Sequence, residues 1–476
     1  MEGTVTQTLA SFAAATSFKD LPPDVVHETK RLFLDVVGCA VGSTTLKKGR
    51  IAVAYARENG GRPDSTILGT SHKVPAALAA FANGELMHTL DFCPLLPPAH
   101  IAPFVTAPVL ALAETKQASG QTLLVAVALA HEVASRVGLS LDPMRIKAGG
   151  LVAPSWGLGF NAFGGAAGAA KILGLDEDAM SDAFGLAGYL APVPSHNKCL
   201  NTPAGGGLAK YGPAGWTAQG SVTSAILASM GYDGDRTVLD GDFGFWAMAG
   251  SKNFDQGKII DGLGKEWNVL RAMYKRWPAS GLFEAPIGTF AKIVAEHNLR
   301  PEEIEAVLIK NEGQGMLPKF TDRELRHHID AQTNLPYHIA MIAHGIEGSP
   351  AWQSDENMNK PSVRALMKKV TVEPYDRAEE TRHQELVVER RAYIDRRPCF
   401  IQVTARGQVF SEAGEYAYWL SVGNPAYRAS DADLARKFGT NAREALPPQK
   451  IERAVDKIMN LEKLQNSADL VAELVP

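Results

Sequence analysis

The stretch GLAKYGPAGWTAQGSV, residues 207–222, places one lysine between a glycine cluster and a run of small and apolar residues. Lys210 follows the glycines at 205–207 and precedes a helix that we predict over residues 216–230. This helix has few polar residues and should be buried, so a lysine at its entrance is costly unless an anion meets it. Glycines allow a small anion to approach the backbone closely. The stretch therefore indicates either an anion-binding lysine or a solvated lysine at a helix start.

Residues 1–268 show one helical pattern after another. The clearest covers residues 22–38, where apolar residues recur at helical spacing, prolines suit the first turn and a glycine ends the run. Further helices are predicted at residues 76–88, 107–115, 122–137 and 162–173. Many of their residues are Ala or Gly, which let helix axes approach closely. We expect an all-α body with a densely packed centre.

The pattern changes near residue 270. Strand-length segments with β-branched, alternating residues occur at 305–310, 369–372, 385–389 and 400–405. Amphipathic helices are predicted between them, at 283–297, 334–344 and 361–368. Helical patterns return after Ser411, at 451–464 and 468–474. The prediction is a mainly α fold, with a large all-α helical domain built from residues 1–268 and 411–476 and an inserted, smaller α/β domain over 269–410.

Composition narrows the class of protein. The chain has 476 residues, of which 45% are hydrophobic and 21% charged, with a net charge of −4, so nothing favours binding to nucleic acid or to a membrane surface. The N-terminus does not resemble a signal peptide, and no apolar run is clean enough to span a bilayer. The cysteines form no CxxC pair, which predicts free thiols and a cytoplasmic location. They are Cys39, Cys93, Cys199 and Cys399.

Two segments offer groups for chemistry. A helix that ends near His88 runs into a proline-rich loop that carries Asp91 and His100, and such loops often hold functional side chains. Asp91 equally fits a turn cap, and His100 an ordinary loop histidine. At the predicted domain junction, Lys275 and Arg276 precede Trp-Pro. Pockets are frequent at such junctions, although a solvated basic turn is as common.

Other residues are less specific. Tyr337 begins a predicted helix, and this segment alone favours a core tyrosine bonded to a backbone carbonyl. The pair His327 and His328 lies in a charged run and should be exposed. No HExxH, GxSxG, P-loop or strand-borne GxGxxG motif occurs, which argues against a zinc hydrolase, an α/β-hydrolase, a kinase or a Rossmann dehydrogenase.

Taken in order, several motifs resemble those of the MmgE/PrpD family over nearly the whole chain. The tyrosine-bearing segment around Tyr337 also matches. The motifs are DVVGCAVG at 35–42, NGELMHTLDF at 83–92, HEVASR at 131–136, KYGPAGW at 210–216, KRWP at 275–278 and SDADLARKF at 430–438. The resemblance implies a helical domain made from both ends of the chain with an inserted lid. It further implies a homodimer and a site between the domains without metal or cofactor, acting on small carboxylic acids.

Carried over by motif, the resemblance implies a set of site residues. They are Asp91, His100, Lys210, Lys275 and Tyr337. Arg136 belongs to another matched motif, and we predict that it binds substrate.

The chain also departs from the family pattern. After Asp91-Phe the family has two further carboxylates and a threonine, where this chain has Cys93-Pro-Leu. Two other family histidines fall on Ser155 and Ser280. Together with Leu95, Leu96 and Trp156, these changes predict a less polar pocket and a substrate less charged or bulkier than citrate. Ser155, Trp156 and Ser280 are therefore predicted to contact the substrate.

The chemistry implied by the resemblance begins with removal of a proton α to a carboxylate. Lys210 and Lys275 would stabilise the developing negative charge. Asp91 or His100 would be the base, and His100 or Tyr337 the acid. We predict a hydro-lyase. A cofactor-independent isomerase or epimerase, a decarboxylase and an inactive binding protein on the same fold are the alternatives.

Overall fold

The computed structural model of the chain describes residues 3–142, 145–147, 150–152, 157–192, 196–203, 207–210 and 212–476. The fold is mainly α, as predicted, with a smaller α/β part inserted into a helical body. Each part has its own large apolar core, one built around the N- and C-terminal helices and one around the inserted strands and helices.

The N-terminal segment supplies most of the helical body. Two short hairpins, β1 (Ser65–Thr66) with β2 (Lys73–Val74) and β3 (Arg145–Lys147) with β4 (Gly150–Val152), interrupt it. Its helices are α1 (Val5–Ala15), α2 (Pro23–Gly42), α3 (Lys47–Asn59), α4 (Ala76–Thr89), α5 (Ala102–Lys116), α6 (Gly120–Ser140), α7 (Asn161–Leu173), α8 (Glu177–Leu190), α9 (His196–Leu200), α10 (Ala214–Ser229), α11 (Phe245–Met248) and α12 (Gly257–Ile260). The predicted helices are confirmed, each with slightly shifted ends.

Helix α7 lies at the centre of this body and meets three neighbours through glycines. A methyl group added at Gly164 would lie 2.2 Å from the carbonyl oxygen of Ala130 in α6. One added at Gly165 would lie 2.3 Å from Oγ of Ser221 in α10, and one at Gly168 would lie 2.4 Å from a Val109 methyl in α5. Only a residue without a side chain permits these approaches. The prediction that small residues set the helix spacing is confirmed.

The inserted part contains a four-stranded sheet in the order β6-β5-β7-β8, in which β5 and β6 are parallel and the other pairs antiparallel. Its strands are β5 (Ile304–Asn311), β6 (Val370–Pro374), β7 (Arg396–Ala405) and β8 (Gln408–Tyr416). Its helices are α13 (Glu284–His297), α14 (Pro318–Thr321), α15 (His328–Ala331), α16 (Leu335–Ala343), α17 (Asp355–Asn359), α18 (Pro361–Met367) and α19 (Asp376–His383). The edge strand β8 was not predicted, and it extends past residue 410.

The strand predicted at residues 385–389 is wrong. Residues 384–388 instead form a π-helical turn that continues α19. The carboxylate of Glu385 is fully buried and accepts hydrogen bonds from the backbone N–H of Asp395, at 2.6 Å, and from Nε of Arg396, at 2.9 Å. Anchoring this carboxylate fixes the segment beside the start of β7 and overrides the strand preference of its two valines.

The chain returns to the helical body through α20 (Asp431–Ala442), α21 (Pro448–Met459) and α22 (Ala468–Val471). Helix α20 packs directly on α2. A methyl group added at Gly38 of α2 would lie 2.9 Å from the ring of Phe438 in α20. The two ends of the chain therefore build one core, as predicted.

Helix α6 is the one described helix that is long and apolar enough to cross a bilayer. Within its most apolar window, 89% of the residues are buried inside the fold. This burial is typical of a core helix. The four cysteines are free and buried, in agreement with the predicted absence of disulfides.

We expect Gly164→Ala to lower the free energy of unfolding by about 1–3 kcal/mol, because the new methyl group overpacks the α6–α7 contact. The matched control is Gly220→Ala in α10, where the nearest atom lies 3.5 Å from the added methyl. This control should be neutral or gain up to about 1 kcal/mol. Urea unfolding followed by tryptophan fluorescence measures both. Equal losses in the two variants would contradict the close-approach interpretation.

Candidate active site

Asp91 lies just beyond the end of α4 and is buried. Its φ is +53°, in the left-handed region, and its backbone N–H reaches the carbonyl of His88 at 3.3 Å. A residue other than glycine in this region is uncommon and costs of the order of 1–3 kcal/mol unless its surroundings hold it. Such residues cluster at functional sites. The turn after α4 is therefore a strong candidate for chemistry.

Two lysines meet the carboxylate of Asp91. The ammonium nitrogens of Lys210 and Lys275 each lie 3.0 Å from Oδ1 of Asp91. The two lysine side chains are 1% and 0% exposed. Lys210 also has a left-handed backbone, with φ of +58°. Of the two sequence interpretations, the structure supports the lysine with an anionic partner, not the solvated one.

His100 borders this charged group on the side that is open. Its Nε2 lies 3.7 Å from Oδ1 of Asp91, and its Nδ1 lies 3.8 Å from Sγ of Cys93. Its ring packs edge-on against the ring of His88, with 5.4 Å between centroids. The side chain of His100 is 18% exposed, whereas that of Asp91 is 4% exposed. An incoming molecule would therefore meet the imidazole of His100 before it meets the carboxylate.

Burial and charge together set the protonation of these groups. Burial raises the pKa of Asp91, but Lys210 and Lys275 outweigh it and hold this pKa well below its usual value. Burial, opposed by Asp91, lowers the pKa of Lys210 to about 8. Burial, reinforced by Lys275, lowers the pKa of His100 well below its usual value. At neutral pH the site thus holds an aspartate, a protonated Lys210 and a neutral imidazole.

Cys93 is a poor nucleophile in this setting. Burial raises its pKa to about 11, which keeps the thiol protonated at neutral pH. The protonated thiol lies beside Nδ1 of His100, at 3.8 Å.

The structure does not bring every predicted residue to this group. Tyr337 is fully buried and its hydroxyl donates to the carbonyl of Trp352, at 2.6 Å, as its own segment favoured. Ser280 donates its backbone N–H to the carbonyl of Gln332, at 2.8 Å. Ser155 and Trp156 lie outside the described residues.

Arg136 has a structural task. Its guanidinium pairs with Glu132 at 2.5 Å and donates to backbone carbonyls in α12 and in the loop after it. These are the carbonyls of Ile259, Asp261, Gly262 and Glu266. With so many of its donors engaged, Arg136 anchors this loop, and its contacts offer no support for the predicted role in substrate binding.

Two histidines were misjudged from sequence. His88 is fully buried against His100, and the matched motif NGELMHTLDF contained the signal that would have included it. His328, expected to be exposed, is only 3% exposed. It is the first residue of α15 and is buried, although the residues before it in the sequence are charged.

One group of described residues has metal-ligand geometry. Potential ligand atoms of His88, Asp91 and His100 all lie within 4.8 Å of one another. However, Oδ1 of Asp91 already contacts two ammonium groups, which would repel a divalent cation. The arrangement suits an anion better than a metal ion.

A cleft of about 650 Å³ opens between the two parts of the molecule. Arg50 lines it from the helical body, and His328 and Gln353 line it from the inserted part. Gln353 also donates to the carbonyl of Leu90, the residue before Asp91, at 2.6 Å. Through this hydrogen bond a wall residue of the cleft is joined to the Asp91 turn, whereas Asp91, His100, Lys210 and Lys275 do not themselves line the cleft.

Two named relatives are similar to this chain over most of its length. The cis-aconitate decarboxylase of Homo sapiens is 25% identical over 498 aligned residues, which cover 99% of this chain and 94% of the relative. The cis-aconitate decarboxylase of Aspergillus terreus is 24% identical over 397 residues, which cover 77% of this chain and 78% of the relative. Both relatives are named as lyases that release CO2.

Two family profiles cover most of the chain. The MmgE/PrpD N-terminal domain matches residues 7–256, and the MmgE/PrpD C-terminal domain matches residues 277–462. The first contains Asp91, His100 and Lys210, and the second begins two residues after Lys275. The chain belongs to the MmgE/PrpD family of enzymes.

Proposed function

We propose that the chain is a cofactor-independent lyase that releases CO2 from a small unsaturated carboxylic acid through a carbanion. The observation that carries this proposal is the buried Asp91 carboxylate held between two lysine ammonium groups, each at 3.0 Å. Together these three groups carry one positive charge. A buried surplus charge is costly, and one substrate carboxylate would neutralise it.

In this mechanism, Lys210 and Lys275 hold the substrate and stabilise the negative charge that develops. The carbon–carbon bond to the departing carboxylate breaks, its electron pair stays on the substrate carbon, and CO2 leaves. Preorganised cations in a buried site are the most effective stabilisers of such charge. The role of Asp91 is to keep both ammonium groups charged and in place, because its own low pKa makes it a weak base.

His100 supplies the proton in this proposal. The free imidazole is neutral, but an anionic substrate beside it favours the charged form and raises its pKa. It can then take a proton from solvent on its exposed side and pass it to the carbanion. The product carries a C–H bond where the substrate had a carboxylate, which balances the reaction.

Dehydration is the second candidate function, and it was the prediction from sequence. The neutral imidazole of His100 suits removal of an α-proton, the first step of that reaction. Loss of hydroxide also needs a proton donor near the leaving group. Tyr337, the predicted alternative acid, donates its hydroxyl to Trp352 instead. This difference, together with the names of the relatives, favours loss of CO2.

An NMR experiment in D2O separates these reactions. The protein is incubated with cis-aconitate and with a panel of unsaturated and hydroxylated mono- and dicarboxylic acids. Loss of CO2 gives a product with one deuterium at the carbon that lost its carboxylate. Loss of water gives an alkene, and an epimerase gives deuterium at the α-carbon without loss of either. Neither loss nor exchange with any acid, from folded protein, would overturn the proposed function.

We expect Lys210→Ala to lower kcat/KM by roughly 10²–10³-fold, since it removes one of the two groups that stabilise the carbanion. The matched control is Lys198→Ala, which removes an exposed lysine from the preceding segment. Steady-state kinetics measure both variants, and circular dichroism checks that each is folded. A Lys210→Ala enzyme as active as the control would rule out the proposed role of this lysine.

Activity should fall as the pH rises through about 8, because Lys210 loses its proton there. Below that pH the ammonium form prevails and the site keeps its positive charge. Lys210→Arg should move this alkaline limb upward, since a guanidinium stays protonated. Profiles of kcat/KM against pH for the two enzymes measure the shift. An unchanged limb in the arginine variant would assign it to another group.

Acids with one or two carboxylates should be turned over with a higher kcat/KM than cis-aconitate or citrate. One surplus positive charge does not match three carboxylates, and Cys93, Leu95 and Leu96, which follow Asp91 in the chain, offer no further charge. Competition between pairs of acids in one NMR tube measures the ratio directly. A preference for cis-aconitate over every less charged acid would contradict the inferred polarity of the pocket.

A further inference from the structure

A third buried lysine touches the backbone on both sides of the charged group. Nζ of Lys437, in α20, donates to the carbonyl of Phe92 at 2.7 Å and to the carbonyl of Lys275 at 3.0 Å. It also forms an ion pair with Oδ1 of Asp35, in α2, at 2.7 Å. An ammonium group has three N–H donors, and two of them meet these carbonyls. The side chains of Lys437 and Asp35 are 3% and 0% exposed.

The two carbonyls belong to the segments that carry the reacting groups. Phe92 directly follows Asp91, and the other carbonyl is that of Lys275 itself. The side chain of Lys275 in turn donates to the carbonyl of Asp91, at 2.6 Å. Lys275 therefore links its own turn directly to the Asp91 turn, and Lys437 bridges the two turns from α20.

The Lys275 turn is held from its other side as well. The buried carboxylate of Glu284, at the start of α13, accepts from the backbone N–H groups of Arg276 and Trp277, at 3.3 and 3.2 Å. The carbonyl of Lys275 and the two N–H groups that follow it are thus all bound. Lys275 has a fixed backbone from which its side chain reaches Asp91.

Stability alone does not account for a buried Asp35–Lys437 pair. Removing two charges from water is costly, and well-packed apolar residues in their place are often neutral or stabilising. The pair also joins two motifs from opposite ends of the chain, DVVGCAVG and SDADLARKF, whose role the proposed reaction leaves unexplained. What the pair supplies, and an apolar pair would not, is a donor for two backbone carbonyls.

We infer that Lys437, with Asp35 as its counter-ion, is a positioning residue that sets the distance between Asp91 and Lys275. This inference rests on the proposed function for its kinetic consequence. Asp91 has a left-handed backbone, which must be held by its surroundings. Lys437, from the C-terminal segment, donates to the carbonyl of the residue after Asp91, and this hydrogen bond helps to hold the left-handed backbone in place.

The inserted part completes the same arrangement. Nε2 of Gln332 donates to the carbonyl of Thr89, and Nε2 of Gln353 to the carbonyl of Leu90, both at 2.6 Å. Four successive carbonyls are therefore bound by side chains that are remote in sequence. In chain order, residues 89–92 are held by Gln332, Gln353, Lys275 and Lys437.

The test removes both charges together, in Asp35→Asn with Lys437→Met. The single change Lys437→Met would leave a buried, unpaired carboxylate and could unfold the protein for that reason alone. The matched control is Lys30→Met, which replaces a lysine of α2, the helix that carries Asp35. Lys30 pairs with Glu462 at 2.5 Å and donates to the carbonyl of Met459 at 3.1 Å, far along the chain from the Asp91 turn.

If Lys437 positions the site, the double variant should stay folded at the assay temperature, although two buried carbonyls lose their donor, and should show kcat lowered by roughly 10–100-fold, with a smaller change in KM. The alkaline limb of its pH–activity profile should also move to lower pH. Asp91 raises the pKa of Lys210, and a displaced Asp91 would raise it less. Lys30→Met should keep the wild-type kcat and the wild-type alkaline limb of the pH–activity profile. Wild-type kcat and limb in the double variant, or an equal loss in Lys30→Met, would overturn the inference.

A second readout does not depend on turnover. Hydrogen–deuterium exchange, followed by mass spectrometry on peptides that cover residues 86–96, reports how firmly the turn is held. Exchange should be faster in the double variant than in wild type or Lys30→Met. Unchanged exchange would overturn the positioning role. A wild-type protein that turns over no acid, yet shows this difference, would count against the proposed function alone.

Discussion

The site depends on one carboxylate buried between two ammonium groups. Away from water such charges are stable only when each partner is held close, because the cost of desolvation approaches the gain from attraction. Asp91, Lys210 and Lys275 come from the end of α4, a glycine-rich segment and the junction with the inserted part. The large helical core therefore does more than bury apolar surface. It brings side chains from three remote segments together, so that both ammonium nitrogens lie 3.0 Å from Oδ1 of Asp91.

This constraint explains the unusual backbone at the site. Both Asp91 and Lys210 have left-handed φ angles, which turn their side chains toward each other from different segments. Each angle is unfavourable for a residue with a side chain, and bound carbonyls around Asp91 offset that cost. The neutral, part-exposed imidazole of His100 completes the group on its open side. The charged groups are thus buried, and the imidazole of His100 is the more exposed of these side chains.

Much of the fold was readable from sequence, because helices such as α2 and α7 carry their apolar and small residues at regular spacing. Strand β8 escaped prediction since it is a sheet edge with few buried positions, and local sequence gives little signal there. Asp91, His100, Lys210 and Lys275, which the structure brings together, were singled out by the order of the motifs and not by local pattern, and that order also selected Tyr337 and Arg136, which bind elsewhere. Nothing in the sequence around Lys437 or Gln353 announces a bond to residues 89–92, because such contacts exist only once distant segments have packed.

The bonds from Gln332 and Gln353 to the carbonyls of Thr89 and Leu90 make the inserted part a component of the Asp91 turn itself. The two parts have separate cores, yet they are not interchangeable modules. A chimera that joined this helical body to the inserted part of a relative would need to keep both amides at the same positions. Its two cores could each be well packed while Asp91 was poorly oriented. Recombination between relatives is thus constrained by these two hydrogen bonds as well as by the packing of each core.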